Sequence, residues 1–326
     1  MSEAIPEPAG GRPPPAIQSP NQRAWRRFRR NRLATASGLF LFVVVLLALV
    51  WPLFERPGIA SHLPKALTWP PTTLSDAQFQ PPGAGHWFGT DVHGRDLLSR
   101  VIYGARISLL IGAFGAAVSL AIGVSWGAIA GYAGGRADSV LMRVVDVLYS
   151  LPNIIFVIVL IATFENPMKA WLAAGRIHVS ARWLLLFVGL GAVSWLTMAR
   201  IVRGQVLSLR TRPFVDASRA LGASHARILL RHILPNIYGI IITYLTLTVP
   251  SILLYESFLS YLGLGIQPPE ASLGSLIAEG AAQINPIRIY WWMIVLPGFT
   301  LTSTLLALYF HGDGLRDAWD PQTGSE

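Results

Sequence analysis

The chain has 326 residues, of which 52% are hydrophobic and only 13% are charged, well below the roughly 25% charged residues of soluble domains. This composition excludes an ordinary soluble protein and predicts a membrane protein, and the apolar runs described below predict that it is all-α. Cysteine is absent, which excludes disulfides, cysteine metal sites and cysteine nucleophiles. The net charge of +9 comes from arginines at the ends of apolar runs, a pattern that indicates membrane orientation rather than nucleic-acid binding.

The N-terminal third of the chain contains one apolar run between two polar segments. Residues 1–32 are rich in proline and end in RAWRRFRRNR, which predicts a disordered, basic tail. Residues 33–54 are apolar and long enough to cross a bilayer, so we predict an uncleaved first transmembrane helix rather than a signal peptide. Residues 55–106 are polar and rich in turn residues, and are predicted to form one long external loop.

The rest of the chain, residues 107–311, is predicted to form a core of five further transmembrane helices. The predicted spans are 107–132, 141–163, 183–202, 237–262 and 290–311, with a loop at 203–236, a long external loop at 164–182 and a tail at 312–326. Seventeen of the 26 lysines and arginines fall on the side that carries both termini and the 203–236 loop. By the positive-inside rule, both termini and that loop are predicted to be cytoplasmic.

Small residues recur every four positions in the second predicted span. They are Gly115, Ser119, Gly123, Gly127 and Gly131. Residues four apart share one helix face, and small side chains there allow another helix to approach closely in lipid. The stretch GVSWG also matches the G-x-S-x-G pattern of serine hydrolases, but Ser125 lies within an apolar helix and lacks the strand that this pattern requires. Helix packing is therefore the favoured interpretation, and an intramembrane enzyme is the alternative.

The predicted spans contain few ionisable residues, and the sequence shows few patterns that bind nucleotides or metals. The sequence contains no P-loop, and its two lysines, Lys65 and Lys169, fall in predicted external loops, so the chain is not expected to bind ATP itself. No metal-site pattern occurs. Glu256 is the clearest ionisable residue inside a span, where it either faces a translocation pathway or pairs with a neighbouring helix. An autonomous ion-coupled carrier would need such a residue, and the scarcity of intramembrane charge argues against that class.

The stretch RPFVDASRALGASHARILLRHILPN lies between two strongly apolar spans. Pro213 suits the first turn of a helix, and Gly222 supplies the left-handed conformation that ends one. Ser224 can cap a second short helix, which Pro235 ends. The pattern predicts a short exposed helix with small side chains, ringed by arginines. The alternative is an amphipathic loop held on the membrane surface by anionic lipid.

This stretch resembles the E-A-A–x3–G loop of permease subunits from bacterial ABC importers. Asp216, Ala217 and Ser218 stand at the Glu-Ala-Ala positions and Gly222 at the glycine, while Leu234 and Pro235 stand at the closing Leu-Pro. Asp replaces Glu, Ser replaces the second Ala, and His232 replaces an isoleucine. The stretches HWFGTDVHGRDLLSRVIYGARISL, ESFLSYLGLGIQPPEASLG and GDGLRDAWDP are similar to the oligopeptide and dipeptide permease group, across roughly residues 23–321.

The resemblance implies a type I ABC importer permease fold with six transmembrane helices and a cytoplasmic coupling helix, in the bacterial inner membrane. It implies ATPase coupling at Asp216, Ala217, Ser218, Arg219, Leu221, Gly222, Leu234 and Pro235. The implied partners are a second permease, two ATPases that carry ATP and magnesium, and an extracytoplasmic binding protein. Oligopeptides are the expected cargo, although related importers carry dipeptides, nickel chelates, opines or peptide antibiotics. The chain itself is expected to be neither an enzyme nor the holder of a cofactor.

Overall fold

A computed structural model describes residues 20–54, 58, 61–62, 64–176 and 180–319 of the chain. In chain order its helices are α1 (Pro20–Arg30), α2 (Arg32–Phe54), α3 (Leu97–Ala133), α4 (Gly135–Tyr149), α5 (Asn153–Ala174), α6 (Ala181–Leu209), α7 (Pro213–Ala220), α8 (His225–Ile228), α9 (Tyr238–Tyr261), α10 (Leu273–Ala282) and α11 (Trp292–Trp319). Six helices are long and apolar enough to cross a membrane: α2, α3, α5, α6, the continuous segment from α8 to α9, and α11. The predicted all-α class and the predicted number of six spans are confirmed.

Six successive crossings place both ends of the described chain at one face of the bundle. Ala24 and Phe28 of α1 pack against Ala318 near the end of α11. We call this end the termini face, which also carries residues 134–152 and 210–237. The opposite end, the loop face, carries residues 64–96, the last turn of α5, the first turn of α6 and residues 262–291.

The predicted span at 141–163 is wrong. The structure divides this region into α4, which remains at the termini face, and α5, which begins at Asn153 and is the membrane span. Pro152 cannot continue the hydrogen-bonded ladder of a helix, so the chain breaks at residues 150–152. The apolar run of the sequence crosses this break, and hydropathy alone cannot detect it. The predicted 164–182 loop is corrected with it, because α5 runs on to Ala174.

Four further boundaries differ from the sequence prediction, the first being that α6 continues to Leu209, inside the predicted 203–236 loop. The basic end of the predicted disordered tail forms α1, while residues 1–19 lie outside the described part. Asp96 caps α3, which begins at Leu97 within the predicted external loop. At the other end of the chain, α11 continues to Trp319 and includes part of the predicted tail. The ends of these helices contain polar residues, so the hydropathy of the sequence does not show that the helices continue there.

The longest helix, α3, organises the bundle. Its 37 residues span about 55 Å at 1.5 Å per residue, well beyond the roughly 30 Å of a hydrocarbon core. Its middle and last turns pack along α6, and its first turns pack against α10 and the loop-face segment. The helix therefore connects both faces of the protein.

Candidate functional site

The segment at residues 210–237 forms the short helix predicted from its sequence. Pro213 occupies the first turn of α7, and Gly222 follows its end with a φ of 76°. The Ala223 N–H donates to the Ser218 carbonyl at 3.0 Å and the Gly222 N–H to the Arg219 carbonyl at 2.9 Å. These two bonds form a Schellman motif, which requires a residue that tolerates positive φ. Gly222 therefore sets the direction in which the chain leaves α7.

A second short helix follows as predicted. The Ser224 hydroxyl accepts a hydrogen bond from the Arg227 N–H at 3.4 Å and caps α8. The chain then passes through a π-helical turn at Leu229–Ile233 and a 3-10 turn at Leu234–Ile237. Pro235 lies in that second turn and interrupts the α-helical ladder before α9. The segment from α7 to α9 is thus a helix–turn–helix element joined directly to a membrane span.

Most of the predicted coupling residues lie on the surface. Asp216, Ala217, Arg219 and Pro235 are exposed, and 88% of Leu221 is accessible. Ser218 and Leu234 are half-buried. A Cβ atom added at Gly222 would meet no atom within 4 Å. Such a helix has too little internal contact to be a core element, so its outer side is available to another molecule.

The inner side of α7 is attached to the bundle through one residue. Val215 is fully buried in a cluster with Ile228, Ile233 and Ile237, which also contains Val202 and Val206 of α6. Burial of an aliphatic side chain of this size contributes roughly 1.5–3 kcal/mol. A displacement of α7 would therefore be transmitted to α6 and to the start of α9.

Polar contacts fix the base of the segment to α3. The Arg210 guanidinium donates through Nη1 to the carbonyl oxygens of Gly131 and Tyr132, at 3.2 and 3.3 Å. The Tyr132 hydroxyl and His225 Nδ1 form a hydrogen bond of 2.9 Å. The carbonyls at the end of α3 would otherwise lack helical partners. Arg210 thus satisfies the end of one span while holding the connection to α7.

Asp216 and Arg219 pair with each other on the outer side of α7. Arg219 Nη1 donates to Asp216 Oδ1 at 3.2 Å, and 44% and 65% of the two side chains are exposed. Exposed pairs of this kind contribute at most about 1 kcal/mol. Both side chains can therefore exchange partners at little cost.

The small-residue series of α3 faces other helices. A Cβ at Gly123 would lie 2.6 Å from Met198 Cβ, and one at Gly131 would lie 2.8 Å from the Arg203 carbonyl oxygen. Gly127 lies against the backbone of α6, and Ser119 is fully buried. Gly115, at the far end of the series, approaches Ile252 of α9 as well as α6. Only very small side chains permit these distances.

Glu256 is fully buried between α9, α3 and the beginning of α10. The Ser108 hydroxyl donates to Glu256 Oε2 at 3.0 Å, and the Ser260 hydroxyl donates to Oε1 at 2.7 Å. Ser272, which caps α10, hydrogen-bonds to Ser260 at 3.1 Å. This geometry favours the second of the two predicted roles, a pairing with neighbouring helices, over a position on a pathway.

The alternative sites suggested by the sequence lack supporting geometry. Ser125 is exposed, and its hydroxyl donates to the Ala121 carbonyl at 2.7 Å within its own helix. No base or acid is bonded to that hydroxyl among the described residues. Over the same residues, no group of three or more potential metal ligands occurs.

A buried network of charges at the loop face was not predicted. Arg100 is fully buried and binds Glu279 in a bidentate pair, Nη1–Oε2 2.6 Å and Nη2–Oε1 3.0 Å. Arg100 and Arg95 both bind Asp91 Oδ2. Burial alone would raise the pKa of the Asp91 carboxyl, but the charge of Arg100 and the hydrogen bonds and charge of Arg95 together hold it below its usual value. The charged residues of the stretch GTDVHGRDLLSR could have indicated a charge network in the sequence. Their partner on α10, Glu279, lies about 180 residues away, so the sequence does not show which residue they pair with.

Comparisons with known proteins agree with this architecture. The family model described as "Binding-protein-dependent transport system inner membrane component" matches residues 123–324, and "N-terminal TM domain of oligopeptide transport permease C" matches residues 19–82. The chain is 42% identical to the oligopeptide transport system permease protein OppC of Haemophilus influenzae, over 92% of this chain and 88% of that one. It is 40% identical to the dipeptide transport system permease protein DppC of Bacillus subtilis, over 92% and 85%.

Similarity also extends to a solved structure. An inward-facing structure of the MetNI methionine ABC transporter matches with a TM-score of 0.50 and 21% identity, over 69% of this chain and 96% of that one. At this identity the match supports the fold alone. The two family matches and the extensive identity to curated relatives decide the family. The chain belongs to the binding-protein-dependent transport system inner membrane components, and within them it is a permease of the OppC/DppC type.

Proposed function

We propose that this chain is the transmembrane permease subunit of an ATP-driven importer that takes up peptides, with oligopeptides as the first expected cargo. The observation that carries the proposal is α7, an exposed helix whose single buried side chain, Val215, joins it to two membrane spans. The OppC and DppC relatives support a peptide cargo. A carrier coupled to an ion gradient through Glu256 is not favoured, because that residue is enclosed by serines.

The arginines support an orientation with the termini face in the cytoplasm of a bacterial inner membrane. Seventeen of the 26 basic residues were counted on this side. The termini face therefore carries the larger share of the basic residues, which is the distribution that the positive-inside rule associates with the cytoplasmic side.

In this assembly two ATPase subunits would lie beneath this chain and a second permease, and would carry the ATP and magnesium. One ATPase cleft would close around the small residues of α7, and its motion on binding ATP would pass through Val215 to α6 and α9. An extracytoplasmic binding protein would deliver peptide at the loop face, where the segment at residues 64–96 is held in place by the Arg100 network. Access would then alternate between the two faces.

The test is to extract the tagged chain gently from its membrane, identify the co-purifying proteins by mass spectrometry, and measure ATP-dependent peptide uptake in proteoliposomes. We compare the wild type with Gly222→Val and with Gly222→Asn as the matched control, because asparagine tolerates positive φ better than a β-branched residue. Valine there costs on the order of 1–3 kcal/mol of strain. We expect Gly222→Val to insert normally but to lose about tenfold or more of its uptake, which corresponds to 1.4 kcal/mol.

Each outcome is decisive for the proposal. Recovery of a second permease and two ATPases with the wild type, together with uptake that survives in Gly222→Asn better than in Gly222→Val, supports the importer and the role of α7. Unchanged uptake in Gly222→Val contradicts the coupling role. Recovery of the chain alone, still moving solute down an ion gradient, contradicts the importer.

A further inference from the structure

A cavity of about 410 Å³ opens at the loop face between α5, α6 and the connection from α9 to α10. Its size is at the small end of the roughly 300–1,000 Å³ of small-molecule sites. Charged and polar side chains make up much of its lining, namely Glu165, Lys169, Arg182, Trp183, Gln267 and Glu270. The cavity is thus small, polar and located on the side where the proposed importer receives its cargo.

The two carboxylates of the cavity differ in their partners. Glu165 binds Lys169 Nζ at 2.7 Å through Oε1 and Arg182 Nη2 at 2.5 Å through Oε2. Glu270 forms no ion pair with any described residue. Partial burial raises the pKa of the Glu270 carboxyl, and the nearby Trp183 N–H opposes only part of that rise. A cationic ligand would therefore be attracted to Glu270 rather than to Glu165.

The same cavity contains donors without acceptors. Arg182 uses Nη1 for the Gly265 carbonyl at 3.3 Å and Nη2 for Glu165, whereas its Nε is buried without a hydrogen bond to a described residue. The Trp183 indole N–H is also buried and makes no hydrogen bond of ordinary geometry there. Buried donors without acceptors are unfavourable. A ligand oxygen between them would remove that penalty.

We propose that this cavity binds the amino-terminal residue of the transported peptide, with the ammonium group on Glu270 and the first carbonyl oxygen toward Arg182 and Trp183. The inference rests on the proposed peptide-import function. A peptide terminus has an ammonium group and a carbonyl oxygen a few bonds apart. The ammonium can pair with Glu270, and the oxygen can accept hydrogen bonds from Arg182 and Trp183. A bare metal ion fits less well, because it offers no acceptor oxygen to the buried donors of Arg182 and Trp183.

The absence of cysteine in this chain permits a direct test. Gln267→Cys places the chain's single thiol on the exposed rim of the cavity, in the complete complex reconstituted with its binding protein. The rate of labelling by a charged methanethiosulfonate reagent is measured with trialanine and with N-acetyl-trialanine. We expect trialanine to slow labelling and N-acetyl-trialanine to have little effect, because acetylation removes the ammonium.

Glu270→Gln in the same background should weaken protection by trialanine about tenfold, the loss expected for one charge-assisted hydrogen bond. Glu270→Asp should retain part of the protection. Asp313→Asn is the charge-matched control, because Asp313 is exposed on α11 near the termini face and should leave protection unchanged.

The outcomes separate this inference from the importer itself. If the wild-type complex imports trialanine but Glu270→Gln protects and imports equally well, the cavity is not a peptide site, although the importer stands. Protection by the binding protein without any peptide would make the cavity a docking contact and overturn the inference. A complex that fails to assemble or to import any peptide would contradict the proposed function, and the inference would fall with it.

Discussion

Two arginine–aspartate pairs lie at opposite faces of this bundle in very different surroundings. At the loop face, the side chains of Arg100 and Asp91 are each only 1% exposed, and Arg100 also binds Glu279 on α10. At the termini face, Arg219 and Asp216 are 44% and 65% exposed and belong to the same short helix. Through Glu279, the first pair is connected to a helix about 180 residues away in the sequence, whereas the second pair connects neighbours one turn apart.

The difference shows how the two faces divide their tasks. At the loop face, buried charges hold residues 64–96, the start of α3 and α10 in one arrangement. At the termini face, α7 keeps one side chain in the core and presents the rest of its surface. The loop face is held in one shape by buried charges, and the termini face exposes the helix on which the proposed ATPase contact depends.

The largest effect should follow from Arg100→Met at the loop face. Methionine keeps most of the volume but leaves Asp91 and Glu279 with only Arg95 as a cation. Removing one partner of a buried pair costs about 3–5 kcal/mol. We expect a reduction of this size in the free energy of unfolding in mixed micelles, with faster proteolysis of residues 64–96.

The control for this prediction is Arg100→Met combined with Glu279→Gln. The double variant removes one charge of each sign, so the remaining Arg95–Asp91 pair is neutral. It should recover part of the lost stability. A single variant as stable as the wild type would mean that the network does not hold the loop face, and the contrast between the two faces would be lost.

An intermediate effect is expected at Glu256, a buried acid that is connected through Ser260 to the cap of α10. In Glu256→Gln, the amide can accept from one serine and donate to the other, so the loss of stability should stay below about 1 kcal/mol. Glu256→Leu leaves the Ser108 and Ser260 hydroxyls without this partner, at about 1–3 kcal/mol for an unsatisfied buried group. Peptide uptake should survive in Glu256→Gln. Loss of uptake without loss of stability would instead place Glu256 on a pathway.

The sequence allowed the prediction of one face better than the other, and the reason is the range of the interactions. Pro213, Gly222 and Ser224 act within a few residues, so the helix of α7 and its ending could be predicted from local rules. The Arg100–Glu279 pair joins distant positions, and no periodicity brings them together. The span predicted at 141–163 was misplaced because Pro152 divides a continuous apolar run.

The smallest effect should follow from Arg219→Gln at the termini face. Its pair with Asp216 is exposed and within one helix, so its loss should change the free energy of unfolding by less than about 0.5 kcal/mol. The second measurement is the recovery of the ATPases that co-purify with the chain. In the proposed assembly, an exposed arginine on α7 stabilises the contact with the ATPase rather than the fold. Weaker recovery of the ATPases at unchanged stability is the expected result, and it is the opposite of the Arg100→Met pattern. An Arg219 variant that unfolded as readily as Arg100→Met would show that α7 depends on its surface charges, and it could then not serve as a rigid contact for a partner.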